Sequence, residues 1–273
     1  MSRRLKAQTL LTALRGERNE RKMFKGFYNL TSGMLTQGRH LDVIANNMTN
    51  VSTAGYKSDE YTASTFDQVM FDRVGNKEKI YTDIGNVSYI RANSEVYTDH
   101  TQGLLEQTDL PLDFAIEGEG YFGVQMLDGT TAYTRNGSFS LDEEGYLCLQ
   151  GKGRVLGTGD QPIRLVTDDI NADAQGALTT TDGLYLGQLT LYNFAPEDVA
   201  QFERNDQGLF ITDAQPVDGQ NIIHHKMIER SNVDLTKQMV DMITCQRALQ
   251  SAAQLTKMYD DLMTKSVDQV GRL

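Results

Sequence analysis

Both ends of this 273-residue chain carry side chains at seven-residue spacing, and the stretch between them is punctuated by glycine. Phe27, Met34, Leu41 and Met48 fall seven apart, and Leu30, Gln37, Ile44 and Val51 form a second row offset by three. Together the rows read as the a and d positions of one helical seam. Near the other end Leu235, Met242, Leu249, Thr256, Met263 and Val270 repeat the same spacing. Long helices at both ends with β-structure between them are expected to pair as a coiled coil and hold the middle out as a separate body. The expected class is therefore α+β: paired terminal helices and an antiparallel β-rich middle domain. Such an architecture suits assembly better than catalysis.

The spacing predicts a first helix from about Phe24 to Val51. The cluster from Asn46 and Asn47 through Asn50 to Gly55 then breaks it and fixes how the chain leaves, because Asn, Ser and Thr side chains compete for backbone hydrogen bonds and Gly tolerates positive φ. From Ser58 to Gln107 no period holds, so an extended connector is expected. Gly129, Gly137, Gly145 and Gly153 then recur every eight residues, three of them after Asp128, Asn136 and Glu144. Asp-Gly and Asn-Gly are strong hairpin signals. They predict an antiparallel meander of strands 121–127, 131–135, 138–142 and 146–150, with strand-like sequence returning at 184–194, 209–212 and 222–227. The last helix is expected to open at Ser231 as N-cap with Asp234 at its third position. Beside its main row, Leu255, Met258 and Leu262 form a second apolar ridge, and Gln246 and Asp260 interrupt the complementary row. A stripe that broad asks for cover from more than one side. The expected segments are a basic extension 1–22, helix and turn 23–57, connector 58–109, β-rich domain 110–229 and C-terminal helix 230–273.

Charge excludes several classes. Residues 1–22 hold seven Lys or Arg against Glu17 and Glu20, a net of +5, which leaves −16 of the chain's −11 total on the rest. A body so acidic is not expected to bind nucleic acid, which needs clustered Lys and Arg. No apolar run is long enough to span a bilayer, so no membrane insertion is expected. The basic start lacks a small-residue cleavage site after its short apolar stretch, and reads as a disordered extension or as sequence preceding a true start at Met23.

No motif calls for a cofactor, a metal or a catalytic group. Gly118-Glu-Gly120-Tyr-Phe-Gly123 matches a dinucleotide fingerprint in letters, but strand-like Val124–Leu127 follows where that fingerprint needs a helix. His224 and His225 are adjacent and would point to opposite faces of a strand. Cys148 and Cys245 have no metal or redox spacing and read as reduced and structural.

Four segments in order do carry a resemblance. Leu41-Asp-Val-Ile-Ala-Asn-Asn-Met-Thr-Asn-Val-Ser-Thr-Ala-Gly-Tyr-Lys57 resembles the N-terminal signature of the bacterial flagellar basal-body rod and hook proteins. The segments 112–122, 133–139, and 231–235 with 242–248 are similar to the same family. Met48-Thr49 stands where Leu-Ala is usual, and Leu249 where an aromatic is common. The resemblance implies a structural rod subunit, exported by the flagellar type III apparatus, that polymerises helically through its terminal helices and transmits motor torque. It implies copies of itself and other rod and hook subunits as partners. The expected assembly interface comprises Phe27, Leu30, Met34, Leu41, Ile44, Asn46, Asn47, Met48, Asn50, Val51 and Gly55, with Leu235, Met239, Met242, Gln246, Leu249, Leu255 and Leu262 on the last helix. An envelope glycan hydrolase with coiled-coil ends is the alternative, though no residue supplies its nucleophile or base.

Overall fold

The computed structural model describes Phe27 and residues 29–74, 81–165, 167–219 and 221–270, so the basic extension 1–22 lies outside the described residues. Helix α1 covers residues 29–49. Two long strands follow, β1 (Asp59–Val74) and β2 (Tyr81–Thr98), and they pair only with each other among the described residues. Residues 59–74 and 81–98, where the sequence shows no period, thus pair as a two-stranded ribbon. Then come β3 (Leu105–Gln107), β4 (Phe114–Glu117), β5 (Tyr121–Met126), β6 (Thr131–Thr134), β7 (Ser140–Leu141), β8 (Leu147–Leu149), β9 (Gly153–Gly157) and β10 (Gln161–Pro162). Strands β11 (Ile170–Ala172), β12 (Ala177–Thr180), β13 (Tyr185–Gln188) and β14 (Leu191–Tyr192) precede the single turn α2 (Pro196–Val199). The chain closes with β15 (Glu203–Arg204), β16 (Phe210–Ile211), β17 (Ile222–His225), β18 (Met227–Glu229) and the long helix α3 (Leu235–Val270).

The described residues fall into two compact units. One holds residues up to Ala45, Tyr61–Val96 and the chain from Met239; the other holds Asn46–Glu60 and Tyr97–Gln238. The larger unit is built on a nine-stranded antiparallel sheet in the order β15-β16-β6-β5-β9-β8-β7, with β14 on β5 and β10 on β9. Strand β5 lies inside two cores at once. Phe122 and Val124 are fully buried, and Phe122 packs with Phe114, Phe139 and Val155 in one cluster, while Tyr121 joins Tyr133, Tyr192, Phe194 and Phe210 in another. A strand covered on both faces carries no alternation, which is how 121–124 reads.

The meander expected from the glycine period is not formed. Strand β9 pairs with both β5 and β8, so it sits between them, and β6 does not continue into β7 as a hairpin. The reason lies at Asn136-Gly137. Gly137 is not at positive φ; a Cβ there would stand 1.8 Å from the Phe114 carbonyl oxygen, and Phe114 N donates to Gly137 O at 3.0 Å. Glycine here permits close backbone approach to β4 rather than a turn. Gly129 and Gly145, by contrast, do take the left-handed conformation, at φ 86° and 82°.

Helix α3 also starts later than the sequence suggests. Asp234 Oδ1 accepts from the backbone of Thr236 at 2.9 Å and Lys237 at 3.1 Å, which makes Asp234 the N-cap. Residues 231–233 stay non-helical because the Asn232 side chain is engaged elsewhere and Val233 is buried. Within the smaller unit, Asp241, Met242, Cys245, Leu249, Ala252, Thr256, Tyr259 and Met263 are the buried or half-buried positions of α3. From Met242 onward they alternate three and four apart. The Cys245 thiol donates to the Gln37 carbonyl of α1 at 3.0 Å, and the Thr256 hydroxyl lies 3.8 Å from the Met34 sulfur.

Candidate functional site

The residues that follow α1 form a joint fixed from three other parts of the chain. Gly55 sits at φ 65°, and a Cβ there would come 2.2 Å from the Arg135 carbonyl carbon and 2.3 Å from the Asn136 nitrogen, so no larger residue fits. Its own N–H donates to the Glu229 carbonyl at 2.7 Å. The next residues are each held by a different side chain. Lys57 Nζ donates to Glu229 Oε1 at 2.5 Å and to the Thr101 carbonyl at 2.6 Å. Ser58 N donates to Asn232 Oδ1 at 2.7 Å. Asn47, 1% exposed, grips the backbone of Asp59 at both ends: its amide donates to Asp59 O at 2.8 Å and its carbonyl accepts from Asp59 N at 2.9 Å. An asparagine used this way replaces a neighbouring strand.

The second layer is charged. The side chains of Lys57 and Glu229 are 1% and 0% exposed, and Arg135 Nη1 lies 3.5 Å from Glu229 Oε2, an ion-pair distance without hydrogen-bond geometry. Burial lowers the Lys57 pKa, and the Glu229 carboxylate opposes that shift. Glu229 Oε1 also accepts from Gly103 N at 2.8 Å. Arg135 lies 4.8 Å over the Tyr121 ring. Arg204 pairs with Asp59 at 2.7 Å, donates to the Lys57 carbonyl at 2.8 Å, and stacks near Tyr56 and Phe210. Asn232 spans the joint by also donating to the Asp99 carbonyl at 2.9 Å.

His100 lies beside this cluster among Tyr121, Phe202 and Phe210. Burial first, then Lys57, Arg204 and Arg135, pushes its pKa down to about 4. Burial raises Tyr121 to about 12, so the phenol keeps its proton, and its hydroxyl shares a 2.8 Å hydrogen bond with Nδ1 of His100. A polar cleft of about 490 Å³ is lined by Asn46, Asn50, Tyr56, Lys152 and Arg204 among others.

The expected interface residues divide by place. Asn46, Asn47, Met48, Asn50, Val51 and Gly55 lie in or beside the joint, with Asn47 and Gly55 buried and Asn46 exposed. Ile44 is 2% exposed in the single chain; Leu30, Met34, Leu41, Met242 and Leu249 are half-buried. Phe27, Leu235, Met239, Gln246, Leu255 and Leu262 are exposed. Sequence reasoning passed over Lys57, Glu229, Asn232, Arg135 and Arg204 as functional residues. All but Glu229 and Arg204 stand inside the four segments singled out there.

The residues of both rejected motifs are engaged within the chain. Gly118 and Gly120 form a notch filled by Asn221, whose side-chain atoms lie 2.3 and 2.4 Å from the Cβ positions the glycines lack. His224 meets Glu117 at 2.7 Å while His225 meets the Pro111 carbonyl at 2.7 Å. Among the described residues no group of three or more His, Cys, Asp or Glu is placed to hold a metal.

Family models match three stretches: a flagella basal body rod protein model at residues 27–57, the flagellar hook protein FlgE/F/G D1 domain at 115–172, and the flagellar basal body rod FlgEFG protein C-terminal domain at 224–269. The chain is 32% identical over 251 residues to the flagellar basal-body rod protein FlgG of Agrobacterium fabrum, covering 85% of this chain and 94% of that one. The chain belongs to the flagellar basal-body rod protein family. It is also 29% identical to the rod protein FlgF of Caulobacter vibrioides, over 92% of this chain and all of that one. A third relative, the flagellar hook-basal body complex protein FlhO of Bacillus subtilis, is 28% identical over 92% of this chain and 100% of its own. The joint draws on all three matched stretches of this rod-family chain: Lys57 from the first, Arg135 from the second and Glu229 from the third.

Proposed function

We propose that this rod-family protein is a structural subunit of the basal-body rod. Its terminal helices pair as a coiled coil and carry helical polymerisation with further copies and with other rod and hook subunits. It reaches the envelope through the flagellar type III apparatus and there transmits torque. The observation that carries this reading is the outer surface of α3. One partner helix can cover the row Met242–Met263, but two apolar ridges flank it. Met239 and Ile243, 47% and 51% exposed, lie on one side; Leu255, Met258 and Leu262, 47–61% exposed, lie on the other. Apolar ridges on both flanks need at least two more neighbours, as a helix in the wall of a tube would have. A head-to-tail contact repeated about an axis without closing gives such a tube. The domain scheme fits this role, with 23–57 and 230–273 for assembly and 110–229 as the outer body.

Deleting the gene and imaging purified basal bodies tests the proposal. Truncated rods and loss of swimming are expected, with both restored by the gene in trans. Complete hook–basal bodies in the deletion strain would sink it.

A further inference from the structure

We propose that the polar cleft lined by Lys152 and Arg204 receives the β12–β13 turn of a second copy of this chain, with Lys152 meeting Asp182. The proposal rests on the rod reading and names one contact through which copies would join. The cleft holds about 490 Å³, and the charged side chains on its wall are Asp59, Lys152, Arg204 and Asp206. Asp59 and Arg204 are paired with each other at 2.7 Å. Asp206 is exposed and makes no ion pair among the described residues. Lys152 is half-buried, and its ammonium has no partner among the described residues; burial alone lowers its pKa. A half-buried cation without a carboxylate carries a desolvation penalty that an incoming carboxylate would offset. A second copy has the matching charge, since residues 23–273 carry −16.

The β12–β13 turn is the acidic turn best built to enter the cleft. Residues 181–185 are an unbroken exposed run, with Leu184 65% and Tyr185 59% exposed. The turn is preformed: Gly183, at φ 83°, donates to the Thr180 carbonyl at 2.9 Å, and Leu184 N donates to Thr180 Oγ1 at 3.1 Å. Docking it therefore orders little chain. The Asp182 carboxylate has no partner among the described residues. The carboxylates of the other hairpin turns are engaged. Asp128 accepts from Thr130, Asp142 accepts from Tyr146 and pairs with Arg154, and Asp173 accepts from Gln175 and Ala177. Turn and cleft also lie toward opposite ends of one strand. Strand β9 begins at Gly153, next to Lys152, and ends at Gly157, which bridges to Leu189 just beyond β13. A contact between two different patches is heterologous, the kind that builds a filament when its rotation does not close.

Charge reversal with rescue tests it, in cells whose own gene is replaced by each variant, read by electron microscopy of purified basal bodies. Lys152→Glu and Asp182→Lys each set two like charges against each other, and each is expected to cut the number of full-length rods about tenfold. The double variant Lys152→Glu/Asp182→Lys re-creates the pair with its signs exchanged and is expected to restore full-length rods. Rescue separates a contact between copies from damage to the fold, which a second reversal would deepen. Full-length rods in either single variant overturn the inference. A double variant whose rods stay as short as the singles' also overturns it, because the two charges then do not meet. Neither result touches the rod reading, which fails only if the deletion strain builds complete hook–basal bodies.

Discussion

Removing one partner from a buried ion pair leaves a charge that water cannot reach, and Lys57 and Glu229 are such a pair. Lys57→Met is expected to destabilise the larger unit by about 3–5 kcal/mol in urea denaturation, and the double variant Lys57→Met/Glu229→Leu to recover much of that loss. Full loss in the double variant would mean that the polar contacts to Thr101 and Gly103 matter more than the pair. His100 makes a prediction about pH. Its folded pKa, about 4, is below its unfolded value of 6.5, so its contribution is complete above pH 6.5. As pH falls from 6.5 toward 4 the unfolded chain binds a proton that the folded chain refuses, and stability drops. Allowing for partial exposure, the drop is about 1–2 kcal/mol. The wild-type curve should be steeper in that window than the His100→Gln curve, and parallel curves would contradict the assignment. At Gly120, an added methyl meets the Asn221 side chain, and Gly120→Ala should cost about 1–3 kcal/mol.

At the scale of elements, the cap of α3 separates two readings of one tetrapeptide. Asp234→Ala should cost about 1 kcal/mol of stability by thermal denaturation, and Ser231→Ala distinctly less. The reverse order would restore Ser231 as the cap. The long row Met242, Leu249, Thr256, Met263 was legible because large side chains repeat every seven residues. Its companion row was not. The sequence draws the eye to Met239 and Gln246, yet the covered companions are Cys245, Ala252 and Tyr259, small or amphipathic residues that weigh little in a hydrophobic pattern. Strands β5 and β6 were legible through their lengths and the Asp128-Gly129 turn. The path after β6 was not, because Asn136-Gly137 has the letters of a turn while the glycine serves contact with β4.

At the scale of the whole molecule, the four segments that carry the family resemblance are far apart in sequence, and three of them meet at one joint within the larger unit. Nothing local to Lys57 shows that its carboxylate partner is Glu229, since pairing over such a separation is set by the β-body between them. The exposed ridges of α3, by contrast, could be read from spacing alone, because a helix wider in apolar surface than one partner can cover announces further neighbours. The central claim is that those ridges carry assembly. Ile44 is already buried in the single chain, so a charge there would damage the subunit and the polymer together. Met258 and Leu262, 59% and 61% exposed, separate the two. The decisive measurement is electron microscopy of basal bodies from cells carrying Met258→Glu/Leu262→Glu, with the melting temperature of the purified variant taken alongside. The account predicts an unchanged melting temperature with rods that stop short and cells that do not swim. Full-length rods and normal swimming in that strain would contradict it.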